Sequence, residues 1–279
     1  MTFLYKFRFH LLIAILALLF TARFAAAQTT PQLKLTGEIV QGSLVRGQVP
    51  KGTSVLFDEK ALYVDTDGRF VFGFSRDDES THTLVWVDNT GKRHERTLTP
   101  QKRQYNIQHI DGLPPKMVTP PEEVLQRIRR DSTVVREARK PVSDYSDVFG
   151  NFIWPTEGTI TGVYGSQRVL NGEPRRPHYG IDLAAPVGTP VIAPAGGVIT
   201  MAENDLYYSG GTIILDHGAG VFSAFLHMSK LDVKVGQRIE QGQKIGEVGA
   251  TGRSTGPHLD WRINWLTMRL DAELLVPAR

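Results

Sequence analysis

The segment TGPHLDWRINW, residues 255–265, alternates polar and apolar side chains. His258, Asp260, Arg262 and Asn264 fall on one side of an extended chain, and Leu259, Trp261, Ile263 and Trp265 on the other. This predicts a strand with one wet and one buried face. An imidazole and a carboxylate two residues apart on the wet face can share a cation or pass a proton. The segment RPHYGIDLAAPV repeats the arrangement: His178, Gly180 and Asp182 share a face, and Gly180 argues against a helix. A third imidazole, His227, ends the apolar run FSAFLH. Singly, each of these is an ordinary strand residue. Together they supply nitrogen and oxygen donors for a tetrahedral zinc, an open position for water and groups that move protons, provided the three segments converge.

Composition narrows the setting. The chain has no cysteine, so Cys-ligated zinc and disulfides are both excluded. The first residues carry Lys6 and Arg8, then an apolar run from Leu11 to Phe20, then Ala25-Ala26-Ala27 before Gln28. That is the layout of a secretory signal peptide over residues 1–27, and the apolar run is short for a bilayer span. The expected location is extracytoplasmic, periplasmic or secreted, with no transmembrane segment after cleavage. Lys6, Arg8 and Arg23 lie in this segment; without them 29 basic residues face 29 acidic ones. No basic excess remains to neutralise phosphates, which removes the compositional argument for a nucleic-acid partner.

Three textures follow. Residues 28–113 contain short strand-like runs such as TSVLF and HTLVWVDNTGKR, with Asp67-Gly68 and Asn89-Thr90-Gly91 as hairpin turn signals. A small β-sandwich of immunoglobulin-like type is the natural packing, and its histidines, His82, His94 and His109, read as solvated or capping. Residues 114–149 read as a helical linker: Thr119 and Glu122 form a capping-box pattern, and Val124, Leu125, Ile128 and Val135 recur at helical spacing before Pro141. Residues 150–279 hold 19 of the 27 glycines and read as closely spaced hairpins of a mostly antiparallel β domain. The fold class is mainly β, with enough residues for two apolar cores. Within the last region His217 sits at a hairpin turn and reads as structural, whereas Arg168, Ser254 and Arg262 are available to line a groove.

The runs HYGIDLAAPVGTPVIAPAGGVI and GGTIILDHGAGVFSAFLHMSKLDVKVGQRIEQGQKIGEVGATGRSTGPHLD resemble the LytM/lysostaphin-type zinc endopeptidases of bacterial cell walls, in several motifs kept in order. The resemblance implies an exported hydrolase of peptide bonds in peptidoglycan, in the stem peptide or the cross-link, with Zn²⁺ as cofactor. It implies that His178 and Asp182, as H-x-x-x-D, are zinc ligands. His227 and His258 would work near the attacking water and the peptide carbonyl. The family's third ligand is the second histidine of an H-x-H motif, and Asp260 stands there in this chain. Aspartate also ligates zinc, but a second carboxylate takes the formal charge of the site from +1 to zero. The reading of another class is a catalytically silent module that binds peptidoglycan or regulates another wall hydrolase as a partner.

The leader yields the first prediction. N-terminal sequencing of protein from the extracytoplasmic fraction is expected to begin at Gln28, and an intact Met1 in a membrane pellet would contradict it.

Overall fold

The computed structural model describes residues 33–110, 122–170 and 172–279. The expected leader and Thr119 of the capping box lie outside the described residues.

Seven short strands form two small antiparallel sheets. Lys34–Thr36, Leu44–Gln48 and Arg69–Gly73 make a three-stranded sheet. Lys60–Ala61, Ser54–Phe57, His82–Val87 and Arg93–Leu98 make a four-stranded one. Aromatic side chains fill the space between them: Phe57 stacks on Phe72 at 4.8 Å, and Phe74 meets Phe72 edge-on at 5.7 Å. The Asn89-Thr90-Gly91 turn joins two paired strands as expected, closed by the Gly91 N–H on the Asp88 carbonyl at 2.9 Å. Asp67-Gly68 differs. It makes a tight turn, but Arg69–Gly73 pairs with Leu44–Gln48, so this turn carries the chain from one sheet to the other.

The remaining chain is organised by a large antiparallel sheet. Its strands, in chain order, are β1 (Thr159–Gly162), β2 (Ile181–Ala184), β3 (Gly197–Leu206), β4 (Gly210–Gly218), β5 (Val221–Met228), β6 (Arg238–Ile239), β7 (His258–Trp265) and β8 (Met268–Leu270). Their spatial order is β6-β3-β4-β5-β7-β2-β1, with β8 also paired to β7. The β4 and β5 sequences are almost continuously apolar because both faces of this sheet are covered. Ile213, Leu215, Val221 and Phe225 point into the main core, together with Val191 and Ile245 from a smaller sheet. The alternate residues Ile214, Phe222, Ala224 and Leu226 point the other way, where Val134, Val135 and Ala138 pack on them. Val134 and Val135 belong to helix α1 (Glu122–Glu137). The linker helix is therefore a lid on one sheet face rather than a free connector, and it ends at Glu137, short of Pro141.

Composition allows two separate cores; in the structure the main apolar cluster spans both regions, running from Val45 and Phe72 through Phe152 to Ile181 and Trp261, with the smaller cluster under the helix beside it. Polar contacts accompany it. Arg46 Nε donates to the Val148 carbonyl at 2.6 Å, and Arg103 pairs with the buried Asp271 at 2.8 Å. Strand Ile107–Ile110, which follows the seven, runs parallel to Gln167–Leu170 and so pairs with a strand of the second region.

His217, at the end of β4, is wholly buried. Its Nδ1 lies 2.6 Å from the Gly196 carbonyl and its Nε2 2.7 Å from Ser223 Oγ, which also accepts from Trp261 Nε1. Burial pushes the imidazole down to about 4 from 6.5. Below 6.5 the unfolded chain takes up a proton that the folded chain refuses, so stability falls as the pH drops from 6.5 towards 4. Denaturant unfolding is expected to show about 2 kcal/mol less stability at pH 5 than at pH 7 from this residue. In His217→Gln that part of the difference should disappear; an unchanged difference would assign the acid sensitivity elsewhere.

Candidate metal centre

The site is built on neighbouring strands β2, β7 and β5. Asp182 of β2 stands directly opposite Asp260 of β7, and Ala184 opposite His258. Two carboxylates facing each other across a ladder repel and call for a cation between them. His178 precedes β2 and is pinned by its N–H on the Ser166 carbonyl and its own carbonyl on the Gly165 N–H, both at 2.8 Å. Donor atoms of His178, Asp182 and Asp260 all lie within 4.8 Å of one another, a spacing that fits one metal ion.

The donors themselves support that fit. His178 Nε2 and Asp182 Oδ1 are 3.1 Å apart, yet neither has a hydrogen-bond partner of acceptable geometry, and both atoms are buried. Two buried polar atoms so placed have lone pairs free for a shared cation. Glycines clear the space for both carboxylates. A Cβ on Gly162 would come within 2.2 Å of Asp182 Oδ2, and one on Gly180 within 2.0 Å of Asp260 Oδ1.

Asp260 differs from Asp182 in having a resident cation. Arg262 Nε donates to its two oxygens at 2.9 and 3.0 Å, and Arg262 Nη2 donates to Oδ2 as well. Burial opposes ionisation of Asp260, but the Arg262 guanidinium outweighs it and holds the carboxyl below its ordinary value. The polar face of β7 is accordingly not wet: Asp260 and Asn264 are buried. The charge expected from the sequence also changes. A divalent ion with two carboxylates and one imidazole sums to zero; Arg262 returns the cluster to +1.

Two further imidazoles complete the arrangement. His227 Nδ1 lies 2.8 Å from the Thr251 carbonyl, and His258 Nδ1 2.8 Å from the Gly256 carbonyl. A carbonyl only accepts, so each ring carries its proton on Nδ1 and leaves Nε2 bare. The rings are 4.8 Å apart, and His258 Nε2 is 3.9 Å from Asp182 Oδ1. Burial lowers the His227 pKa, which keeps the ring neutral. His178 is shifted upwards despite its burial, by Asp182 and by the charge of Asp260.

Strict alternation would turn His227 away from this face, since Leu226 already faces Asp260. A bulge in β5, where the pairing slips between Gly211 and Ile213, and a left-handed φ of +66° at His227 bring the ring round. The five residues singled out from the sequence thus come together. Arg168 does not join them: it lies exposed on the strand Gln167–Leu170, away from the hollow beside the site. Ser254 Oγ reaches His258 Nδ1 at 3.2 Å. Sequence reading missed Gly162, the carbonyls of Thr251 and Gly256, and the ion pair of Arg262. The last had a visible signal, a cation two residues from Asp260 on the same strand face.

Residues 176–272 match the family described as Peptidase family M23. Over 102 residues the chain is 42% identical to the peptidoglycan DD-endopeptidase ShyA of Vibrio cholerae, covering 33% of this chain and 24% of that protein. Over 91 residues it is 47% identical to the DD-carboxypeptidase/endopeptidase Mpg of Neisseria meningitidis, covering 32% and 21%. The chain thus matches about a quarter or less of these relatives' length. A Pseudomonas aeruginosa structure described as an M23 peptidase superposes with a TM-score of 0.66 at 27% identity, covering 85% of this chain and 95% of that one. The likeness therefore extends over the N-terminal sheets as well.

Removing Arg262 leaves a buried, uncompensated Asp260. Arg262→Met is expected to cost the metal-free protein about 3 kcal/mol. Added zinc should recover most of this, by supplying the cation Asp260 then lacks. Thermal unfolding with and without zinc reads both effects. A loss that zinc does not repair would show that Asp260 makes no bond to the metal.

Proposed function

We propose that the protein is an exported zinc metalloendopeptidase that hydrolyses peptide bonds in peptidoglycan, in the stem peptide or the cross-link, on the ground that residues 176–272 match peptidase family M23. The observation that carries this reading is the convergence of three metal donors with two imidazoles whose Nε2 atoms are bare. Relatives named as peptidoglycan DD-endopeptidases support the substrate class.

His178, Asp182 and Asp260 would hold the ion. Zinc bound there supplies Lewis acidity towards a carbonyl oxygen and a bound water. The protein's own part is proton handling and orientation. A proton leaving the attacking water passes to a bare Nε2, of His258 or of His227. The imidazolium so formed donates to the oxyanion or to the departing amine. The Gly256 and Thr251 carbonyls fix both rings in the tautomer this needs, and Arg262 keeps Asp260 ionised. Among the described residues no helix is long and apolar enough to cross a membrane.

The test is metal analysis of the purified full chain, paired with identification of the products released from purified peptidoglycan. His227→Ala and His258→Ala are expected to retain zinc and lose turnover by about a hundredfold or more. His178→Ala should lose zinc as well. A wild-type chain that carries no zinc, while Asp260→His acquires it, would replace the enzyme by a wall-binding or regulatory module.

A further inference from the structure

Beside the metal centre, between helix α1 and the site face of the large sheet, lies a hollow of about 810 Å³. His227, Arg262 and Leu226 form its inner wall. Its charge is one-sided. Arg139 from the segment after α1, Arg176 from the segment before β2 and Arg269 from β8 all line it, with Asp131 as its one acidic residue among those described. Asp131 is already engaged, accepting from the Tyr207 N–H at 2.7 Å.

Among the described residues, Arg139, Arg176 and Arg269 form no ion pair, whereas Arg262 is committed to Asp260. The Nε of Arg139 is buried and has no hydrogen-bond partner. Arg176 and Arg269 are held by one ring: their guanidinium carbons lie 5.7 and 4.8 Å from the centre of Tyr179. Gathering like charges, with one buried guanidinium nitrogen left unbonded, is costly unless the place is kept for an anion.

We propose that this cluster is a carboxylate-binding subsite, resting on the peptidase reading above, and that Arg139, Arg176 and Arg269 seat a free carboxylate of the substrate peptide next to the bond to be cut. Planar guanidiniums match a carboxylate with paired hydrogen bonds, and a carboxylate is the anionic group a wall peptide carries. The hollow is large enough for several peptide units and leads directly to His227. Burial and the neighbouring arginines lower Arg139 to about 9 and Arg269 to about 10, the mark of cations lacking a counter-charge. An arriving carboxylate relieves that repulsion, so selectivity comes from strain the free protein already holds.

The experiment uses soluble peptides released from peptidoglycan, with carboxylates free or converted one at a time to carboxamides. Their binding to the metal-free full chain is measured by calorimetry. The acid is expected to bind at least tenfold more tightly than one of its amides, which identifies the carboxylate that is seated. In Arg139→Met and in Arg269→Gln this preference should vanish, through a much larger loss of acid binding than of amide binding. Arg139→Met should unfold at an equal or higher temperature, because it removes a repelling charge. Equal binding of acid and every amide, or a preference that survives both substitutions, would overturn the subsite. So would equal losses for acid and amide with a lowered unfolding temperature, the pattern of a structural role. Release of peptides from intact wall by the zinc-loaded chain reports separately on the peptidase. Carboxylate preference without release keeps the subsite and removes the peptidase; release without preference does the reverse.

Discussion

Two carboxylates face each other in the middle of a sheet, and most of the site follows from that repulsion. Asp182 and Asp260 are cross-strand partners on β2 and β7, a pairing that a sheet tolerates only with positive charge close at hand. One share of that charge is covalently built in, as Arg262. Beyond it, His178 Nε2 and Asp182 Oδ1 are buried without hydrogen-bond partners, in a group of donors spaced to fit a cation. The strands can bring the acids together because Gly162 and Gly180 take up no room beneath them. A methyl group at either glycine would displace a carboxylate oxygen, so these positions govern how the two acids are spaced.

The same economy accounts for the second layer. Backbone carbonyls of Thr251 and Gly256 dictate which nitrogen of each imidazole is bare. Those carbonyls belong to the connection leading into β7, so the loop that delivers His258 also orients both rings. Beneath them, His217, Ser223 and Trp261 form a buried hydrogen-bonded chain that ties β4, β5 and β7 together. Asp260 and His258 therefore stand on a strand whose opposite face is locked by both apolar packing and polar bonds.

Much of this was legible in the sequence. Period-two alternation in HLDWRINW and in HYGID placed the candidate donors on shared faces, and the turn at Asn89-Thr90-Gly91 is where the sequence puts it. What alternation could not show is where it breaks. The bulge that turns His227 depends on the partner strand, which local pattern does not contain. The polar face of β7 proved partly buried because Arg262 folds onto Asp260 and because the linker helix packs on the same sheet face at β5, a tertiary choice that its amphipathic pattern permits but does not specify. Separate cores were expected from chain length, yet packing between Gly73 and Leu270, and between Arg46 and Phe152, joins the two regions into one. The arginine cluster went unseen because its members come from three segments 37 to 130 residues apart.

The bulge in β5 also bears on how the chain tolerates changes of length. Where most strands lose function when a residue is deleted because pairing fails, here loss of one residue next to His227 would improve the pairing of β5 with β4. The better-formed ladder would carry its imidazole into the apolar core or lose it altogether. Regularity and reactivity therefore oppose each other at this one position. A chain shortened there would keep Gly162, Gly180 and the three candidate metal donors while losing one imidazole from the site.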